Sequence, residues 1–255
     1  MNRMGEGIAK GQLADEASRA RKAAKILAVL ESVLGADLSE LVCLDVGCSF
    51  GLITKHLAPR FRFTLGVEYD LQAIQEANKW SAEHLSFVRG DGQCLPIQDE
   101  TVDVVICTQV YEHVASDQAL FAEIERVLAP GGVCFFSGPN RLYPVEQHYG
   151  LPIVHWLPAA LAARLLRAFG RAKELDIHSG TLWALRRKLR HFAIQDFTVD
   201  MLQNPDHYAC REEMGRLGWI SHLPRWLLKA IMPLAPNFNW VLKKPARSGQ
   251  GGRSP

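Results

Sequence analysis

The chain has no apolar run approaching the ~20 residues that a membrane-spanning helix needs, and its first 25 residues, MNRMGEGIAKGQLADEASRARKAAK, lack the continuous apolar stretch of a secretory leader. It has six cysteines in 255 residues and no Cys-x-x-Cys pair, which leaves no sequence signal for a zinc ribbon or a redox dithiol. Several of Cys43, Cys48, Cys94, Cys107, Cys134 and Cys210 sit in apolar, strand-like runs. They read as reduced interior residues of a cytoplasmic protein, with Cys48 set apart by its place in a glycine turn. No Gly-x-Gly-x-x-Gly fingerprint is present, because the matching register reads Gly47-x-Ser49-x-x-Leu52. No phosphate-loop lysine follows, no internal repeat is visible, and no metal site is expected.

What is present suits a globular chain: 48% hydrophobic and 22% charged residues, enough for one domain with insertions. The net charge of +2 conceals an asymmetry. Residues 1–140 hold 12 Lys and Arg against 19 Asp and Glu, and residues 141–255 hold 17 against 8. A basic second half points to an anionic partner: a membrane surface, a phosphorylated substrate or nucleic acid.

The chain is organised around Leu41–Gly51, LVCLDVGCSFG. Leu41, Val42, Leu44 and Val46 are apolar and β-prone, Gly47 to Gly51 break the run, and LITKHLA resumes with helical spacing. Strand, glycine turn and helix open a βαβ unit, in which a glycine turn lets backbone N–H groups approach a ligand. Asp45 stands at the strand end, where it can meet a cationic group. A second strand over 61–70 carries Glu68, 23 positions after Asp45. In a nucleotide-binding βαβ unit, an acid about 20 residues past the glycine turn holds ribose hydroxyls. Asp70 is placed to cap the next helix, LQAIQEANKW. Short strands follow at 85–88 and 102–107, with Thr108 and Gln109 at the C-terminal end of the latter, where doubly wound folds bind ligands. Residues 117–128 form an amphipathic helix, and Ala129-Pro130-Gly131-Gly132 turns into the strand VCFFSGPN.

Four ordered blocks carry a resemblance: Asp45-x-Gly47-x-x-x-Gly51, Gly90-Asp91 leading to Leu95-Pro96, Val110-Tyr111-Glu112-His113-Val114, and Arg126-x-Leu128-x-Pro130-Gly131-Gly132. Together they resemble the class I S-adenosylmethionine (SAM) dependent methyltransferases, type 11-like, a group that includes quinone-, lipid- and polysaccharide-tailoring enzymes. The resemblance implies an α/β fold, a Rossmann-like seven-stranded, mostly parallel sheet with the last strand antiparallel and helical lid insertions. It implies SAM as cofactor, held by Asp45, Gly47, Cys48, Ser49, Gly51, Glu68, Tyr69, Asp91, Gly92, Gln93, Thr108 and Gln109. Within that set Asp91 faces the adenine amino group. His113 is expected to brace its loop ahead of touching substrate.

Residues 140–180, rich in Pro, His and aromatics, depart from the minimal fold and read as a lid over the substrate mouth. Its helix is expected to present Arg164, Arg167 and Arg171 on one face and Leu161, Leu165 and Phe169 on the apolar one. Glu146, His148, Tyr149 and His155 are the dense group of proton acceptors, with His148 the expected general base beside Glu146 and with Tyr143 and Tyr149 shaping an aromatic pocket. A helix over 181–192, capped by Thr181, and a sixth strand over 193–199 follow. Residues 204–235 form a second insertion whose Trp219, Trp226, Arg225 and Lys229 suit an interfacial helix. A last strand spans 239–243.

The expected organisation is an N-terminal helical segment (1–40), a SAM-binding core (41–139), a lid insertion (140–180), completion of the core with the helical insertion (181–244), and a disordered tail (245–255). The expected function is methyl transfer from SAM to a small-molecule or lipid-linked acceptor, at oxygen. The protein is expected to be cytoplasmic, with peripheral membrane contact through its basic half. An RNA or nucleic-acid methyltransferase and a non-catalytic SAM-binding protein are the alternatives. Against the former, no Asn-Pro-Pro-Tyr-like motif follows the fourth strand to hold a flipped base.

Overall fold

The computed structural model describes residues 16–146, 148–172 and 177–246. Beyond residue 246, the tail expected to be disordered lies outside this range, as do residues 1–15 of the expected N-terminal helical segment. In chain order the strands are β1 (Val42–Val46), β2 (Phe63–Glu68), β3 (Leu85–Arg89), β4 (Val102–Thr108), β5 (Leu128–Pro139), a short hairpin of β6 (Val145–Glu146) and β7 (Leu151–Pro152), β8 (Ala193–Asp196) and β9 (Asn237–Lys243). Seven of them form one sheet in the order β3-β2-β1-β4-β5-β9-β8. β1 to β5 pair in parallel, and β9 runs antiparallel between β5 and β8. The expected seven-stranded, mostly parallel sheet is therefore observed. The order reverses between β1 and β4, so a crevice opens at their C-terminal ends.

The helices are α1 (Glu16–Leu34), α2 (Leu52–Leu57), α3 (Leu71–Ala77), α4 (Asp117–Val127), α5 (Ala159–Ala168), α6 (Leu182–Lys188), α7 (Thr198–Gln203), α8 (Arg211–Met214) and α9 (Arg225–Ile231). α1 buries Ala23, Ile26, Val29 and Leu30, a stripe at helical spacing that packs with Cys43, Val104, Ile106, Phe135 and Val241 on one sheet face. Alternate residues of the same strands, Leu44, Val46, Val105, Cys107, Phe136 and Trp240, enter the second core against α4, which buries Leu120, Phe121, Ile124 and Val127. With both faces covered, the central strands read as near-continuous apolar runs.

The caps follow the sequence. Asp70 accepts from Ala73 N at 2.8 Å, Thr181 from Ala184 N at 3.3 Å, and Ser116 from Ala119 N at 3.1 Å. Arg126 donates to Leu95 O at 3.0 Å, Ile97 O at 2.7 Å and Asp99 at 2.6 Å, tying the loop after β3 to α4.

Several boundaries differ from expectation. β8 ends at Asp196 rather than 199, because the Asp196 carboxylate accepts from Thr198 N at 2.9 Å and turns the chain into α7. α6 stops at Lys188, four residues short. The 204–235 insertion is no single helix but α8, a 3-10 stretch over 215–222, and α9. In α5 the buried residues are Ala162 and Leu166, whereas Leu161 and Phe169 are exposed. The apolar face had been drawn on the larger side chains, but the smaller Ala162 lets the helix approach Leu151 and Val154.

Candidate functional site

A cavity of about 1380 Å³ lies over the C-terminal tips of β1, β2 and β4. It is lined by Asp45, Gly47, Cys48, Ser49, Glu68, Tyr69, Asp91, Gly92, Gln93, Thr108 and Gln109, so eleven of the twelve residues named for the cofactor converge there. Gly51 does not. A Cβ at Gly51 would meet the Phe87 ring at 2.7 Å, so this glycine serves helix-to-strand packing. At Gly47, φ is +72° and a Cβ would lie 2.5 Å from Val110 Cγ2, so only glycine fits the turn.

The turn is not an anion cradle. Gly47 N and Cys48 N both donate to Val67 O at 2.8 and 3.1 Å, and Gly51 N donates to Cys48 O at 2.9 Å. Ser49 N donates to Glu68 Oε2 at 2.9 Å. The expected approach of these amides to a ligand is thus replaced by internal bonds, and carboxylates are left to face the cavity. The Cys48 side chain packs with Ala58, Ile74, Ala77, Leu85 and Phe87, and burial raises its thiol pKa. It behaves as core despite its place in the turn.

Three carboxylates stand at successive strand tips. Asp45 is buried, accepts from Thr54 Oγ1 at 2.6 Å, and is pushed up to about 7 by burial, with Thr54 opposing and Glu68 adding to the rise. Glu68 takes Ser49 N on one oxygen and Asp70 N, at 2.8 Å, on the other, which fixes its plane while each oxygen keeps a lone pair. Asp91 accepts from Gln93 N at 2.8 Å. The Gln93 side-chain amide donates to Asp91 at 3.1 Å and accepts from Ser116 N at 2.8 Å, so it bridges the β3 tip to α4. Gln109, at φ +57°, donates through Nε2 to Asn237 at 3.2 Å.

The helix α1 brings Arg19, Lys22 and Lys25 to the same cavity. Lys22 is half-buried, and that burial first, then Arg19 and Lys25, lowers its pKa. None of these three side chains is among the cofactor residues that the resemblance implies. Helical spacing puts Arg19 and Lys22 one turn before the buried Ala23 and Ile26, on the side of the helix that faces the sheet.

Of the proposed proton acceptors, His148 reaches the cavity, as does Tyr143. Tyr149 packs beside Leu151 and Leu166 instead. His155 is buried with Nε2 2.9 Å from Arg141 O and belongs to the fold of the lid. Glu146 Oε1 lies 3.0 Å from His148 Nδ1, and its other oxygen accepts from Tyr149 N at 2.7 Å. Burial opposes ionisation of Glu146, but these partners outweigh it and hold its pKa low.

Glu112 was quoted in the sequence without a role. It is fully buried, and neither carboxylate oxygen has a hydrogen-bond partner among the described residues. Its Oε1 lies 3.9 Å from both His148 Nε2 and His113 Nε2. Burial pushes the Glu112 carboxyl up to about 7, with His148 opposing and Glu146 adding. His113 stands edge-on to His148, ring centres 5.2 Å apart, and also lines the cavity.

The far wall is apolar. Leu217, Ile220, Leu228, Ile231, Met232 and Leu234 line it, all from the second insertion. Asn140 Nδ2 donates to Pro233 O at 2.7 Å and Ala235 O at 2.9 Å, which pins that insertion to the end of β5.

Comparison with known proteins places this geometry. Residues 44–136 match the model of the methyltransferase domain family. An uncharacterized methyltransferase of Mycolicibacterium vanbaalenii is 32% identical over 160 residues, 62% of each chain. A ubiquinone biosynthesis O-methyltransferase of Idiomarina loihiensis is 36% identical over 104 residues, 38% of this chain and 42% of the relative. The chain thus spans about three fifths or less of the length of these relatives. The crystal structure of an S-adenosylmethionine-dependent methyltransferase from Mesorhizobium loti superposes with a TM-score of 0.54 at 14% identity, over 85% of this chain and 96% of that one.

Proposed function

Because residues 44–136 form a class I methyltransferase domain, a type whose donor is SAM, we propose that this protein transfers a methyl group from SAM to an oxygen nucleophile on an acceptor with an apolar body, small or lipid-linked. One observation carries the reading: a single cavity joins the three strand-tip carboxylates to His148 and to an apolar wall from the second insertion. Its volume of about 1380 Å³ exceeds the few hundred to ~1,000 Å³ typical of one small-ligand pocket, so two reactants have room.

The residues suit the donor. Asp45 offers a carboxylate to an ammonium group, Glu68 accepts from paired hydroxyls with its remaining lone pairs, and Asp91 accepts from an exocyclic amine. Bound SAM supplies a methyl group on a sulfonium, already electrophilic. What remains for the chain is alignment and proton removal. The apolar wall orients the acceptor and excludes water. His148, held at Nδ1 by Glu146, lines the same cavity and draws off the acceptor's proton.

The second insertion also exposes Trp219 and Trp226, which do not line the cavity. With the excess of Lys and Arg after residue 140, this supports a cavity mouth resting on an anionic membrane surface. No described helix is long and apolar enough to cross a membrane. Flotation with anionic vesicles at low salt, reversed at high salt, is the expected behaviour, and absence of binding at low salt removes the membrane contact.

The function is tested by incubating the protein with methyl-labelled SAM and a cell extract, then partitioning it. Label in the lipid fraction is expected. Label confined to RNA would overturn the acceptor class, and cofactor binding with no label anywhere would make the protein a non-catalytic SAM binder.

A further inference from the structure

Glu112 poses a physical problem that methyl transfer alone does not solve. A carboxylate removed from water is normally hydrogen-bonded or paired, because desolvation of an isolated charge is strongly unfavourable. Glu112 is 0% exposed, and both its oxygens lack hydrogen-bond partners among the described residues. Two imidazole nitrogens face it, His113 Nε2 and His148 Nε2, each 3.9 Å from the same oxygen. That is too long for a hydrogen bond. The three donor atoms lie within 4.8 Å of one another. Two donors on one tetrahedral ion at bond lengths of about 2.1 Å lie about 3.4 Å apart, so each 3.9 Å spacing closes with a shift of about half an ångström.

We propose that Glu112, His113 and His148 form a binding site for a divalent transition-metal cation at the acceptor end of the cavity. Two imidazoles and one carboxylate are a donor set for zinc and its neighbours rather than for magnesium or calcium, which prefer oxygen alone. Three protein ligands leave a position open to a further oxygen. The outer shell is also in place. Glu146 Oε1 lies 3.0 Å from His148 Nδ1, the carboxylate–histidine pairing that fixes tautomer and ring plane so that Nε2 is left to ligate. Glu146 is itself held by Tyr149 N at 2.7 Å. Three chain segments meet here: the loop after β4 supplies Glu112 and His113, and the β6–β7 hairpin region supplies Glu146 and His148 against the end of β5. Because the ligands are 35 residues apart, no contiguous metal motif exists in the sequence.

Resting on the methyl-transfer reading only for its purpose, the site gives His148 a sharper role. The imidazole acts through the ion, a hydroxyl of the acceptor fills the open position, and the proton it loses goes to solvent. The cation holds the resulting oxyanion in place, the template role of a catalytic metal.

The experiment is a Co²⁺ titration of the full chain, free of any polyhistidine tag and stripped with chelator, followed by visible absorption. Roughly one equivalent should bind with d–d bands of a low-coordinate His/carboxylate site. Glu112→Gln and His148→Ala should abolish those bands. Glu146→Gln, which touches only the outer shell, should weaken binding about 10- to 100-fold. His113→Ala alters a side chain that is 48% exposed, so it should fold normally and still weaken binding by at least about tenfold. S-adenosylhomocysteine binding, read by thermal shift on every variant, controls for folding. No saturable Co²⁺ binding by the wild type, or equal binding by His113→Ala and Glu112→Gln, overturns the site. Methyl transfer that persists fully in excess chelator while Co²⁺ fails to bind removes the metal and leaves the methyltransferase reading standing.

Discussion

At the cofactor end of the cavity, Glu68 is oriented by backbone N–H groups of its own loop and of the turn after β1, Asp91 by one of its own loop, and Asp45 by Thr54. At the acceptor end, neither oxygen of the Glu112 carboxylate has a hydrogen-bond partner among the described residues, and the wall is a set of short helical pieces with exposed tryptophans. The first end is assembled from strand tips of a continuous sheet. The second is assembled from the loop after β4 and the two insertions. A pre-oriented, internally satisfied site suits a ligand that never varies, whereas an unsatisfied, apolar one is completed by whatever it binds. The difference separates what a fold can share with many relatives from what belongs to one acceptor.

That contrast breaks if the sheet tolerates damage as the insertions do. Trp240→Ala, at a side chain with no exposure, removes the ring packed on Phe136 and Phe238 and the bond from Nε1 to Asp196 at 2.8 Å. Denaturant unfolding should show a loss of about 3–5 kcal/mol. Gly47→Ala sets a Cβ against Val110 Cγ2 at φ +72°, and thermal unfolding should report a loss of about 1–3 kcal/mol with weakened cofactor affinity.

A subtler effect follows from Asp45. Its carboxyl is raised from 3.8 to about 7 by burial, so the folded chain holds this proton more tightly than the unfolded one. Its contribution to stability is complete below about pH 3.8 and is lost as the pH rises through about 7. A cationic ammonium partner prefers the ionised form, so S-adenosylhomocysteine affinity should rise between about pH 6 and about pH 8, and Asp45→Asn should flatten that rise. The smallest change is expected at the insertion. Trp226→Ala, at a side chain 70% exposed, should alter stability by less than about 0.5 kcal/mol while reducing flotation with anionic vesicles.

Much of the first region was legible in the sequence because its signals are local. The Asp45–Gly47 turn, Glu68 at the next strand end, Asp70 as a cap and the Pro130-Gly131-Gly132 turn each lie within one element and its loop. Gly51 was misread since its reason is Phe87, 36 residues on. Gln93 was read as a ligand, although its amide spans Asp91 and Ser116, a relation between two loops that spacing does not encode. The second region was least legible for the same reason. Glu112 meets His148 across 36 positions, and the α5 face was drawn by side-chain size although Ala162, the small residue, is the one that permits close approach. The lining residues Arg19 and Lys22 stand one turn before the buried Ala23 and Ile26 of their helix, and that they meet the strand tips is a tertiary relation that the helix's own pattern does not encode.

The central claim is that carboxylates at three strand tips hold SAM, and calorimetric titration with S-adenosylhomocysteine tests it most directly. Glu68 takes charge-assisted bonds from Ser49 N and Asp70 N, and in the proposed site its remaining lone pairs would meet the ribose, so Glu68→Ala should weaken binding by about 100-fold or more relative to wild type. A wild-type chain that releases no heat with this ligand, or a Glu68→Ala variant that binds it as tightly, would contradict the account.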